Sequence, residues 1–278
     1  IEGVDDFAGT VLHTSRWDAS VDLRGRRVAV IGTGASAVQL IPAIAEQAGA
    51  LIHVSNYYYN EPNIRLAARL RELTGLARIL FCNSGTEAIE AMLKLARRYF
   101  FARGEPDRFR VVAFQNAFHG RTLGALAVTG QPKYRDGFGP LLGVSHVPFG
   151  DADAVRAAMG PDVAAILVEP VQGEGGVVPA PRGFLAALRE IADAHGALLI
   201  GDEVQTGLGR TGAFLGFQRE GVRPDAVALA KALGGGFPIG AMAASEALLG
   251  ALPPGSHGST FAGNPLASAA ALTVLEVM

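Results

Sequence analysis

The sequence predicts an α/β fold: a mostly parallel sheet held between layers of helices. Short apolar runs alternate with amphipathic stretches along the chain, the rhythm of strands joined by crossover helices. The apolar runs are continuous, with no polar residue at every second position, as in strands covered on both faces. With 278 residues, 49% of them hydrophobic, and 36 glycines, the chain can bury a large core and make many tight turns.

In order, strands are expected over 26–31, 77–82, 110–114, 144–148, 164–168, 197–201, 225–230 and 239–244. Helices are expected over 35–47, 62–73, 85–101, 152–158, 182–195 and 264–277. The helix over 182–195 shows the pattern well: Phe184, Leu185, Leu188 and Ile191 form one stripe, and Gly196 stops it. The helix over 85–101 follows Ser84, with Glu87 three residues on, which reads as an N-cap and capping box.

Bulk properties exclude several classes. A net charge of −2 gives no reason to expect nucleic acid or an anionic membrane. The single cysteine, Cys82, rules out an intrachain disulfide and fits a reducing, cytoplasmic setting. The first residues lack the basic and apolar regions of a signal peptide, and no apolar stretch is long enough to span a bilayer. Both ends read as cut.

The chemistry centres on Lys231, which closes the run Asp225-Ala-Val-Ala-Leu-Ala-Lys231 and is followed by Gly234-Gly-Gly236. An amine at a strand end, with glycines beside it, has space around it. Upstream, the apolar strand over 197–201 ends in Asp202. Pyridoxal 5'-phosphate (PLP) enzymes need this combination: a lysine for a Schiff base and an acid for the pyridine nitrogen. The other two lysines read as structural, Lys94 on a solvated helix face and Lys133 in a loop.

Further segments add to this. Ser84, Gly85 and Thr86 join a strand to a helix whose free N–H groups suit a phosphate, although an ordinary N-cap reads the same way. Phe118, after the strand over 110–114, could stack on a flat ring, while His119 and Arg121 could be ordinary loop residues. Glu169 and Glu174 flank an acidic loop, and no histidine cluster points to a metal.

Taken together and in this order, the motifs from His53 onward resemble class III, fold-type I PLP-dependent aminotransferases, in particular those that act on acetylornithine. The resemblance implies that residues 51–278 are the large domain of such an enzyme, without its C-terminal small domain. It would transfer the amine of an ω-amino donor such as N-acetylornithine to 2-oxoglutarate. It further implies cofactor contacts from Ser84, Gly85, Thr86, Phe118, Asp202, Val204, Gln205, Lys231 and Thr260, catalysis by Lys231 and Asp202, and substrate contacts from Arg121, Glu174 and Ser259. The match to Thr260 reaches the phosphate held by a second copy, so a homodimer is implied.

Residues 1–50 carry a different signature. Phe7 to Asp18 has the form FxGxxxHxxxWD, and Gly32-Thr-Gly34-Ala-Ser-Ala37 has the form GxGxxA after a strand. This resembles Baeyer–Villiger monooxygenases, flavin enzymes that use NADPH, over about residues 1–47. No earlier glycine turn for FAD is present, and the stretch 51–55 offers neither acid nor arginine to read a ribose. A Rossmann-like β-α fragment packed on another domain is therefore the expectation. An inactive chimeric fragment, or an NADPH-binding piece of a flavin monooxygenase, stands as the alternative to an active transaminase.

Overall fold

The computed structural model describes residues 36–278 other than residue 249. The strand expected over 26–31 and the motifs at 7–18 and 32–34 lie outside the described residues.

Helix α1 spans Ser36–Ala50 and α2 Glu61–Thr74, the latter capped by the side chain of Asn60, which accepts from the Asn63 N–H. Strand β1 (Arg78–Cys82) leads into α3 (Gly85–Ala102). Strand β2 (Arg110–Phe114) is followed by two short helices, α4 (Leu123–Val128) and α5 (Pro132–Arg135), then by β3 (Val144–Val147) and α6 (Ala152–Ala158). Strand β4 (Val163–Val168) precedes a small ribbon of β5 (Val171–Gln172) and β6 (Val178–Pro179). Helix α7 (Phe184–Ala194), β7 (Leu198–Asp202), β8 (Ala226–Leu229), β9 (Gly240–Ala244) and α8 (Pro265–Val277) complete the order.

Among the described residues, seven strands form one sheet in the order β1-β9-β8-β7-β4-β2-β3. Strand β9 pairs antiparallel with both β1 and β8, and the remaining pairs are parallel. The other six strands therefore point the same way, and their C-terminal ends gather along one edge.

Side chains alternate between the two faces, and both faces are covered. Val111, Leu167, Ile200, Ala228 and Met242 pack towards α3 with Met92, Leu95 and Phe100. Their neighbours face the other way: Val112, Phe114, Ile166 and Leu199 onto α7, and Val227, Leu229 and Ala241 onto α2 and α8. This two-sided burial is why the strands read as unbroken apolar runs. The stripe Phe184, Leu185, Leu188 and Ile191 is buried, as its spacing predicts.

Three local expectations change. Lys133, predicted in a loop, lies in α5. Helix α4 was hidden in the glycine-bearing apolar string Leu123–Val128. The box at the start of α3 is shifted by one residue: Ser84 Oγ accepts from the Glu87 N–H at 3.3 Å, but Glu87 reaches past Ser84 to the N–H of Asn83 at 2.8 Å.

Candidate active site

A cavity of about 520 Å³ opens at the C-terminal ends of the parallel strands. Crevices at this edge of an α/β sheet are the usual place for ligands, because helix N-termini and strand-end loops converge there. Each of its walls follows from a strand end.

After β1, the chain turns through Asn83 and Ser84 into α3, so Gly85 and Thr86 present the first turn of the helix to the cavity. Ser84 has extended backbone and caps the helix. Gly85 is needed for space: a Cβ there would meet Val204 Cγ1 at 2.9 Å. The Thr86 hydroxyl lies 3.0 Å from that of Thr122, which ties this turn to the wall after β2.

After β2 come Phe118, His119 and Arg121. His119 is fully buried, and its Nδ1 lies 2.7 Å from Asp202 Oδ2. The other carboxylate oxygen of Asp202 accepts from the Val204 N–H at 3.0 Å. Burial opposes a charge on His119, but the hydrogen bond and charge of Asp202, with help from Glu169, outweigh it and raise its pKa above the ordinary imidazole value. Its Nε2 is buried with no partner among the described residues.

After β4, Glu169 is buried and accepts from the N–H groups of Phe118, at 2.9 Å, and Gly173, at 3.2 Å. Burial pushes its carboxyl up to about 7; His119 and the two N–H groups work against this, and the charge of Asp202 adds to it. The loop beyond carries Glu174 into the cavity. Gly173 leaves room for Gln205, whose Oε1 would lie 1.4 Å from a Cβ at that position.

After β7 come Asp202, Val204 and Gln205; after β8 comes Lys231. Lys231 is exposed to the cavity and has φ of +48°, a left-handed conformation rare for a side chain other than glycine. It opens a tight 3-10 turn, Lys231–Gly234, which ends in a glycine and is followed by Gly235 and Gly236.

Among the described residues the cavity is lined by the basic side chains of Arg121, Lys231 and His119, by the carboxyls of Glu169, Glu174 and Asp202, and by flat and branched apolar groups. That suits a charged, flat ligand and a reactive amine. The profile described as "Aminotransferase class-III" matches residues 18–278.

The chain belongs to the class-III aminotransferases.

An acetylornithine aminotransferase from Myxococcus xanthus is 53% identical over 94% of this chain and 66% of its own length. In structure, the ornithine aminotransferase from Toxoplasma gondii ME49 superposes with a TM-score of 0.83 at 37% identity, over 86% of this chain and 58% of that one. A PLP-bound amine transaminase from an uncultivated Pseudomonas species gives 0.81 at 35% identity, over 86% and 62%. The chain thus spans about two thirds of the curated relatives it matches. The family match starts at residue 18, inside the segment 1–50 whose motifs resemble a monooxygenase.

Within this class-III chain, most of the residues singled out from sequence converge. Ser84, Gly85, Thr86, Phe118, Arg121, Glu174, Asp202, Val204, Gln205 and Lys231 all line the cavity. Ser259 and Thr260 do not: Ser259 Oγ accepts from Asn83 Nδ2 at 2.9 Å just behind the lining, and Thr260 is exposed. Sequence reasoning missed His119 as the partner of Asp202 and Glu169 as the group that fixes the backbone of Phe118. Glu169 had a signal, an acid at the end of an apolar strand, like Asp202. His119 had none, because its partner is 83 residues away.

The residues present fit PLP. A phosphate finds the free N–H groups of Gly85 and Thr86 at the start of α3, which line the cavity. A basic ring nitrogen finds Asp202, buried and with one partner on each oxygen, which leaves acceptor capacity on both. An aldehyde finds the amine of Lys231. No helix among the described residues is long and apolar enough to cross a membrane.

Proposed function

We propose that this chain carries out PLP-dependent transamination, moving the amine of an ω-amino donor such as N-acetylornithine to 2-oxoglutarate. The donor leaves as an aldehyde and 2-oxoglutarate leaves as glutamate. The observation that carries the reading is the convergence of Lys231, Asp202 and the α3 N-terminus on one cavity. The acetylornithine relatives support the donor class.

When bound, PLP supplies an aldehyde that captures amines and a ring that draws electrons from the captured carbon. The rest falls to the chain. Gly85 and Thr86 hold the phosphate by backbone N–H groups. Asp202 keeps a positive charge on the ring nitrogen, and His119 holds the Asp202 carboxylate in place. Phe118 and Val204 would confine the ring, and Gln205 would add a polar contact to it. Lys231 would hold the aldehyde by its amine, and the same amine is the base that would take the proton from the donor's amine-bearing carbon. Arg121 and Glu174 meet the donor at the mouth. Thr260 would serve the phosphate site of a second copy in a homodimer. The monooxygenase resemblance of residues 1–47 rests on its motifs alone and has no part in this reading.

Adding PLP, reducing with borohydride and mapping the labelled peptide tests the proposal, together with turnover of N-acetylornithine and 2-oxoglutarate. Label on Lys231 and formation of glutamate are expected. Label on Lys94 or Lys133, or retention of PLP with no glutamate formed, would sink it; the latter would favour an inactive chimera.

A further inference from the structure

Among the described residues, Arg121 is the one arginine that lines the cavity, and it is exposed there. Among the described residues no carboxylate lies within ion-pair distance of it. Aromatic rings hold it instead. Its guanidinium carbon is 4.7 Å from the centre of the Tyr134 ring and 5.6 Å from that of Phe118. The two rings meet edge to face, with centres 5.6 Å apart and planes at 76°. Tyr134 belongs to α5 and is half-buried, and the Lys133 ammonium lies 4.7 Å from the same ring.

The physics of this arrangement differs from that of an ion pair. A ring attracts a cation through its quadrupole without neutralising it. A guanidinium stacked this way keeps its donors and its charge for an incoming anion. It has also lost much of the rotational freedom of a long side chain before that anion arrives, which lowers the cost of binding. A carboxylate partner would fix the arginine equally well and consume the charge. The hydroxyl of Tyr134 forms no hydrogen bond among the described residues, so the ring itself is what matters.

We propose that Tyr134 is a specificity-determining positioning residue. Its ring is the shelf that keeps Arg121 aimed across the cavity mouth with its charge unpaired, and so sets a preference for amine donors that carry a carboxylate. The inference rests on the transamination reading above. Tyr134 acts through Arg121 and touches no reacting atom.

The test compares N-acetylornithine with N-acetylputrescine, the same donor without its carboxylate. Both are assayed on the PLP-loaded wild type and on Tyr134→Leu, Tyr134→Phe, Arg121→Gln and the Tyr134→Leu/Arg121→Gln double variant. Tyr134→Leu should raise KM for N-acetylornithine about two- to fivefold, the range of an exposed cation–π contact. It should leave kcat, and KM for N-acetylputrescine, unchanged. Tyr134→Phe should match the wild type. Arg121→Gln should lose at least as much selectivity, and adding Tyr134→Leu to it should cost nothing more. A turnover-free measurement runs alongside: calorimetric Kd values of the two donors for PLP-free protein should show the same selective weakening in Tyr134→Leu. Equal losses for both donors in Tyr134→Leu, or additive losses in the double variant, overturn the inference. An intact preference in Arg121→Gln overturns it as well, because the guanidinium would then not be the carboxylate contact. If the wild type turns over neither donor, the transamination reading fails, and the Kd comparison still decides the role of Tyr134.

Discussion

Asp202 and Glu203 are neighbours at the end of one strand, and both are buried carboxyls. They face opposite sides of the sheet. Asp202 lies on the α3 side, in line with Leu198 and Ile200, where the cavity opens and His119 is its partner. Glu203 lies on the far side and accepts from the Thr206 hydroxyl and from the N–H groups of Gly216, at 3.0 Å, and Phe217, at 3.0 Å. Burial raises the pKa of Glu203, and these three donors pull against it. Every donor on Glu203 is local and structural; Asp202 keeps acceptor capacity facing a cavity. Burial of a carboxyl therefore does not distinguish a working residue from a structural one. What distinguishes them is whether the remaining lone pairs face open space or the fold's own backbone.

The largest effect that could break this contrast lies on the cavity side. Lys231→Ala should remove borohydride-trappable PLP and lower kcat by about a millionfold, in the range of losing a covalent catalyst. Residual turnover near the wild-type rate would move the chemistry elsewhere. Asp202→Asn keeps the shape and removes the charge, and should cost about a thousandfold in kcat. Glu203→Ala should act on stability instead. It strands three donors and should cost about 3 kcal/mol of stability, read as a lower urea midpoint, while PLP-loaded protein that stays folded keeps its kcat. Equal kinetic losses from the two variants would erase the distinction between the faces.

The next prediction sharpens it through pH. Glu169 shares the cavity face with Asp202, and its folded pKa is raised from 4.5 to about 7. The native state therefore binds this proton more tightly than the unfolded chain does. Stability from this group is present below the unfolded pKa and is lost as pH rises towards 7. Glu169→Gln removes the titration. The melting temperature of the wild type minus that of Glu169→Gln should fall between pH 4.5 and pH 7; a flat difference would show that burial does not raise the Glu169 carboxyl. The smallest effect is expected from Ser84→Ala, which deletes the cap of α3 and should cost about 1 kcal/mol, measured by urea melting. A PLP Kd weakened beyond that loss would show that Ser84 also contacts the ligand directly.

Much of the fold was legible because two-sided burial leaves unbroken apolar runs, and β2, β4, β7 and β8 lie close to where those runs predict. Lys231 stood out because the chain has three lysines and only one closes a strand. The ribbon of β5 and β6 was not legible, since two residues per strand carry no period. The pairing of His119 with Asp202 was hidden for a different reason: strand order brings β2 and β7 to either side of β4, and sequence separation says nothing about that. Tyr134 was passed over because the stretch around Lys133 reads as loop, and its value lies in the ring it turns towards Arg121.

The left-handed backbone at Lys231 has a consequence for how this protein would respond to selection. A side chain in that conformation costs about 1 kcal/mol relative to glycine. Glycine at 231 would relax the turn and remove the amine together. A screen that rewards heat resistance alone would thus favour dead variants at this position, while one that rewards turnover would keep the strained lysine. At this one residue, durability and activity pull in opposite directions.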